Sequence, residues 1–140
     1  MTEQTGNSLK LKPHHVAINV ADIEASINWY CDVLDFSVKR RNFIPTSTSQ
    51  NALIFNGNFN IELFQHEKII PGSEDETTEP PGTEALGFRQ MAFEADDLHA
   101  ITEMLKKKGV NITRLRPDGT VLFIRDNSGN VLEFVPAGHL

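Results

Sequence analysis

Val16, Ile18 and Val20 alternate with His15, Ala17 and Asn19. Alternation with period two predicts a strand whose two sets of side chains face opposite sides of a sheet. Ile23, Ile27, Tyr30 and Leu34 then recur at helical spacing. Asp22 stands just before them, where its carboxylate can accept from an early backbone N–H as an N-cap, and the helix is expected to stop near Asp35. Ser37 to Ile44 reads as a second strand closed by Pro45, and residues 46–51 as a polar turn. Ala52 to Phe55 reads as a third strand. Asn56-Gly57-Asn58 is a hairpin signal, because Asn and Gly tolerate positive φ. Phe59 to Gln65 is the fourth strand, which makes the unit βαβββ.

The order then repeats. Arg89 to Ala95 is expected as a strand, with Asp96 or Asp97 capping a helix whose apolar face is Leu98, Ile101 and Leu105. Lys106 to Lys108 suit the negative end of the helix dipole, and Gly109 suits its stop. Val110 to Arg116, Thr120 to Arg125 and Val131 to Val135 are three further strands, with turns at Pro117-Asp118-Gly119 and Asp126 to Asn130. His15 and Gln90 lie 75 residues apart at matching points, and Glu62 and Glu133 lie 71 apart. A nearly constant offset marks one unit used twice. The expected fold is α+β: two βαβββ modules forming a cupped mixed sheet. Residues 1–12 are expected as a flexible tail and 13–136 as a single domain, with module one at 13–65, a linker at 66–87 and module two at 88–136. The linker carries three prolines and the acidic run Glu74-Asp75-Glu76. A loop of that length is either a functional cover or disordered, and it is expected near the mouth of the cup.

The bulk composition narrows the function classes. The 140 residues suffice for one domain with a real core. A formal net charge of −6 argues against nucleic acid as a partner. No apolar run of membrane-spanning length occurs, and residues 1–8 lack the basic and apolar regions of a signal peptide. The single cysteine, Cys31, excludes an intrachain disulfide and fits a reducing cytoplasm; within a predicted helix it reads as packing or surface.

Four polar residues on apolar strands carry the candidate chemistry. Glu62 faces away from Ile61 and Leu63, and Glu133 faces away from Leu132 and Phe134. A lone strand His or Glu is ordinarily a hydrogen-bonded or solvent-facing residue. Four such residues at matched positions of a repeat are not explained that way. If the modules pair about a pseudo-twofold axis, one imidazole, two carboxylates and one amide oxygen converge. That set suits a borderline divalent ion such as zinc, nickel, cobalt, manganese or iron, with positions left open for water or substrate. His14 is expected on the opposite face from His15, so that both cannot chelate from a regular strand. Of Lys39 to Arg41 and of Arg114 and Arg116, alternation sends only some into the cup, where they suit an anionic substrate. His66, His99 and His139 have no partner pattern. No Gly-x-Ser-x-Gly or Cys/His nucleophile arrangement appears.

These motifs resemble the vicinal oxygen chelate superfamily, which groups glyoxalase I, bleomycin-resistance proteins and ring-cleaving dioxygenases. The resemblance covers about residues 12 to 136. It rests on the stretch from His15 to Asp22, on Trp29 to Phe36, on Gly87 to Phe93 and on Asp126 to Glu133. It implies that His15 is the ligand of the first strand, Glu62 that of the fourth, and Glu133 that of the last, often doubling as the base. Gln90 stands where relatives usually carry His. The implied function is a metal-dependent lyase or isomerase of the glyoxalase type acting on a small carbonyl substrate, with Glu133, or Glu62 from the opposite side, moving the proton. A homodimer is also implied. The alternatives are a non-catalytic binding protein of the bleomycin-resistance kind and a ring-cleaving dioxygenase, the latter disfavoured because the second His is missing.

Overall fold

The structure, a computed structural model, describes residues 8–46, 48–70 and 86–139. The first module runs β1 (Val16–Asn19), α1 (Ile23–Leu34), β2 (Ser37–Ile44), β3 (Ser49–Asn56) and β4 (Phe59–Gln65). The second runs β5 (Met91–Ala95), α2 (Leu98–Lys107), β6 (Ile112–Leu115), β7 (Leu122–Arg125) and β8 (Val131–Pro136). The order is βαβββ twice, as the periodicities predict. The helix ends follow their signals. Asp22 Oδ1 accepts from Ala25 N at 3.1 Å and Asp97 Oδ1 from Ala100 N at 3.0 Å. Asp35 ends α1 in the left-handed region at φ 59°, and Gly109 follows α2 at φ 74°.

Each module builds one four-stranded mixed sheet, in the orders β1-β4-β3-β2 and β5-β8-β7-β6. Within each, the first strand runs parallel to the last, with Ala17 beside Glu62 and Ala92 beside Glu133. One face of each sheet is apolar and closed by a helix. Ile54, Ile61 and Leu63 are buried with Ile23, Ile27 and Tyr30 of α1, and Leu122, Ile124 and Leu132 with Leu98 and Leu105 of α2. Burial of this kind stabilises each large side chain by about 1.5–3 kcal/mol. The two modules share this core. Phe93 of β5 meets Phe36 edge-on at 6.3 Å, Phe59 at 5.7 Å and Phe134 in a stack at 5.5 Å.

The turn from Asp126 to Asn130 ties module two to module one. The Tyr30 hydroxyl donates to Asp126 Oδ2 at 2.7 Å, in full burial. The Asp126 carboxylate also accepts from the backbone of Ser128 and of Asn130 and from Asn130 Nδ2, each at 2.9 Å. Burial, and the Asp126 charge after it, push the Tyr30 phenol far above the ordinary range.

Strands β5, β6 and β7 are one to two residues shorter at their ends than expected, and one boundary is misplaced further. The polar stretch read as a turn over 46–51 is half strand, because β3 begins at Ser49 and pairs Ser49, Gln50 and Asn51 with Ile44, Phe43 and Asn42. Polar residues fill both faces there, so no alternation marks them. Residues 71–85 lie outside the described residues, and with them most of the linker expected near the mouth of the cup; so do residues 1–7 of the expected tail. No helix among the described residues is long and apolar enough to cross a membrane.

Candidate functional site

The faces left open by the helices carry the four polar residues. His15 stands one position before β1 and Gln90 one position before β5, the same place in the repeat. On sheet one, His15 Nε2 lies 3.5 Å from Glu62 Oε1. Glu62 is the more enclosed of the two, at 17% side-chain exposure against 39%. Its other oxygen accepts from Asn51 Nδ2 at 3.4 Å, and Asn51 Oδ1 accepts from Asn42 Nδ2 at 3.1 Å. A polar row thus crosses all four strands, Asn42 on β2, Asn51 on β3, Glu62 on β4 and His15 beside β1, and steadies the carboxylate from behind.

His14 adjoins this row. Its Nδ1 lies 2.8 Å from His15 Nδ1, with the rings edge-on at 77° and 5.0 Å between centroids. The expected opposition of the two rings does not occur, because β1 begins only at Val16 and residues 14 and 15 escape its pleat.

On sheet two, Gln90 Nε2 donates to Glu133 Oε1 at 3.3 Å. Gln90 Oε1 is buried without a hydrogen-bond partner among the described residues. A buried acceptor left unpaired costs about 1–3 kcal/mol, and a cation or an N–H donor removes that cost. The surroundings of Glu133 are apolar: Phe123 lies directly opposite on β7, and Val121, Val131 and Val135 pack with it. Gln90 also borders the crevice between the edges of β1 and β5, whose walls include Val16, Ile18, Phe59 and Met91.

The four residues therefore assemble as two pairs, His15 with Glu62 and Gln90 with Glu133. Among the described residues no three His, Cys, Asp or Glu side chains come together closely enough to hold an ion, so Glu133 does not join His15 and Glu62 within one chain. As a set, one imidazole nitrogen, two carboxylates and the unpaired amide oxygen fit a borderline divalent ion.

The basic residues of β2 divide as alternation requires. Arg40 pairs with Leu53 and Leu53 with Glu62, which puts Arg40 on the open face. Arg41 turns the other way and forms an ion pair with Glu24 of α1. His66, without a pattern in the sequence, continues the Glu62 and Phe64 face. It stacks on Phe64 at 6.0 Å, and its ring nitrogens lie 3.1 Å from Ser49 Oγ and 3.1 Å from Asn19 Oδ1. Sequence reasoning missed Asn42, Asn51 and His66 as neighbours of the site; their alternation on β2, on β3 and beyond β4 was the available signal. Cys31 is half-buried, and desolvation pushes its thiol up, which suits packing rather than nucleophilic work.

Comparison with known proteins agrees with this architecture. Residues 12–134 match the Glyoxalase/Bleomycin resistance protein/Dioxygenase superfamily. The chain is 32% identical over 106 residues to protein YaeR of Escherichia coli strain K12, which covers 75% of this chain and 77% of YaeR. It is 28% identical over 133 residues to lactoylglutathione lyase GLX1 of Arabidopsis thaliana, covering 89% of this chain and 44% of that protein. The crystal structure of a glyoxalase family protein from Enterococcus faecalis superposes with a TM-score of 0.75 at 27% identity, covering 89% of this chain and 96% of that one. The repeated module, the matched residues at its strand starts and the family match lead to one assignment: the chain belongs to the glyoxalase/bleomycin resistance protein/dioxygenase superfamily.

Proposed function

We propose that the protein is a metal-dependent lyase or isomerase of the glyoxalase type, active as a homodimer on a small carbonyl substrate. The observation that carries this reading is the unpaired, buried Gln90 Oε1 beside Glu133, set at the repeat position matching the facing pair His15 and Glu62. Each pair supplies half of a ligand set. His15 and Glu62 of one copy and Gln90 and Glu133 of a second copy would hold one divalent ion between them. The relatives named as lactoylglutathione lyases support the reaction class.

When bound, a divalent ion at these residues would polarise two adjacent oxygens of the substrate and make the neighbouring C–H more acidic. Glu133 takes the carbon-bound proton and returns it to the adjacent carbon. It suits this role because Gln90 holds one of its oxygens while Phe123, Val131 and Val135 keep water from its flank. Asn51 donates to one oxygen of Glu62 and fixes the carboxylate, whose other oxygen faces His15 and serves as a ligand. Arg40, on the open face two strands from Glu62, offers a positive charge to an anionic end of the substrate.

The test is zinc or nickel content after metal loading, measured with a screen of hemithioacetals of α-keto aldehydes. Stoichiometric metal that is lost in His15→Ala and Glu62→Ala supports the reading. Metal retained by both variants removes it. Binding without turnover is the second reading, and one observation favours it: Gln90 replaces an imidazole with a weaker neutral ligand. Stoichiometric ligand binding by a metal-free chain with no turnover would establish it.

A further inference from the structure

We infer that His14 is a positioning residue that fixes the tautomer of His15 and so presents His15 Nε2 as a lone pair beside Glu62. The inference rests on the metal-site reading above and goes beyond it to a residue outside the ligand set. A neutral imidazole carries one N–H and one lone pair. Ligation through Nε2, the nitrogen 3.5 Å from Glu62 Oε1, therefore requires the proton on Nδ1. A proton there needs an acceptor. His14 Nδ1, at 2.8 Å and edge-on, is placed to be that acceptor.

The ring nitrogen of a ligating His that faces away from the ion is ordinarily held by a carboxylate, a carbonyl or water, which sets tautomer and orientation. Here a second imidazole takes that place. Two placements of the proton satisfy the His14–His15 contact. With the proton on His14 Nδ1, His15 carries its own on Nε2 and points it at Glu62, so the pair closes on itself. With the proton on His15 Nδ1, the Nε2 lone pair and the Glu62 carboxylate face one shared space. The second placement is the one that receives a cation, and His14 supplies the acceptor it needs.

The backbone reinforces the geometry. His14 O accepts from Asn60 Nδ2 at 3.0 Å. Asn60 lies two residues before Glu62 on the same face of β4. The strand that carries one ligand thereby fixes the residue that orients the other.

Zinc affinity of the full chain, measured by competition with a chelating dye, tests the inference with two substitutions. His14→Phe keeps a ring and removes the acceptor. His14→Asn puts a side-chain oxygen where Nδ1 stood. His14→Phe is expected to weaken zinc binding about 10–100-fold, the usual effect of removing a partner behind a metal ligand, and His14→Asn to recover most of it. Nitrogen-15 NMR of the zinc-loaded chain is expected to place the proton on His15 Nδ1 and to leave His14 Nδ1 unprotonated. Because His14 is exposed, melting of both variants should match the parent. Undiminished zinc binding by His14→Phe, equal losses in both variants, or a proton on His14 Nδ1 in the zinc-loaded chain would each overturn this inference and leave the metal site standing. No zinc binding by the unsubstituted chain would overturn the metal reading as well.

Discussion

The two polar pairs, His15 with Glu62 and Gln90 with Glu133, share a place in the repeat and differ in what surrounds them. Glu62 sits in a polar row, between His15 on one side and Asn51 and Asn42 on the other. Glu133 sits on an apolar floor, with Phe123 opposite and Val121, Val131 and Val135 around it. The contrast follows from single positions. Asn51 lies opposite Phe64 on sheet one; on sheet two the corresponding place, one step beyond Leu122, is Val121 beside Val135. Each carboxylate accepts from one side-chain amide, Asn51 or Gln90; in the proposed reading the polar surroundings suit a fixed ligand and the apolar ones suit proton transfer. The repeat gives two carboxylates at matching positions, and their neighbours differ.

The sharpest way to break the proposed division of roles is to neutralise each carboxylate in turn. Glu133→Gln keeps volume and a ligating oxygen but removes the proton acceptor. Turnover is expected to fall about 10²-fold or more, with zinc affinity reduced less than in Glu133→Ala. Glu62→Gln is expected to lose zinc more than it loses rate per bound zinc. The reverse pattern would exchange the roles, and full activity in both would remove the proton-transfer mechanism.

A second asymmetry lies in the hairpins. The β3–β4 turn is short, while Asp126 to Asn130 makes a longer turn that docks on α1 through Tyr30. Tyr30→Phe is expected to cost about 1.5–3 kcal/mol in denaturant unfolding, the range for a hydrogen bond to a charged group. The sign of its pH dependence follows from the raised phenol. The unfolded chain releases the proton near 10 and the folded chain only far above it. The stabilisation is therefore complete below about 10 and is lost as pH rises beyond it. Tyr30 is the one tyrosine of the chain, so phenolate absorbance reports it alone. That absorbance should appear only as the protein unfolds; its appearance in the folded protein near pH 10 would contradict the buried pair.

The smallest effect makes one half resemble the other. Asn51→Val removes the donor behind Glu62 and reproduces the residue type of Val121. Zinc affinity is expected to fall about 10-fold, the low end for such a partner because the bond is long. No change would show that the polar row is incidental to the ligand.

Much of this was legible in the residues. Strands of period two, helices of helical period and Asp caps gave the module order, because burial on one face forces each pattern. The start of β3 was hidden: Ser49, Gln50 and Asn51 are polar on both faces, and their partners lie at a distance in sequence. The four ligand candidates were legible because a repeat doubles a signal that one strand leaves ambiguous. Their division into two pairs was not, since a repeat says which positions correspond and nothing about which open face meets which. The contact of His14 with His15 was hidden by assuming regular alternation in a segment that precedes the strand.

The proposed metal site joins His15 and Glu62 of one copy to Gln90 and Glu133 of another. Subunit mixing tests it most directly. A chain with His15→Ala and Glu62→Ala, and a chain with Glu133→Ala, should each bind zinc weakly. If sites are shared between copies, a mixed dimer contains one site with both defects and one with neither. Zinc binding of parental affinity is therefore expected to return on mixing, at one ion per mixed dimer. No recovery in mixed dimers that have demonstrably formed, or undiminished zinc binding by either variant alone, would contradict it.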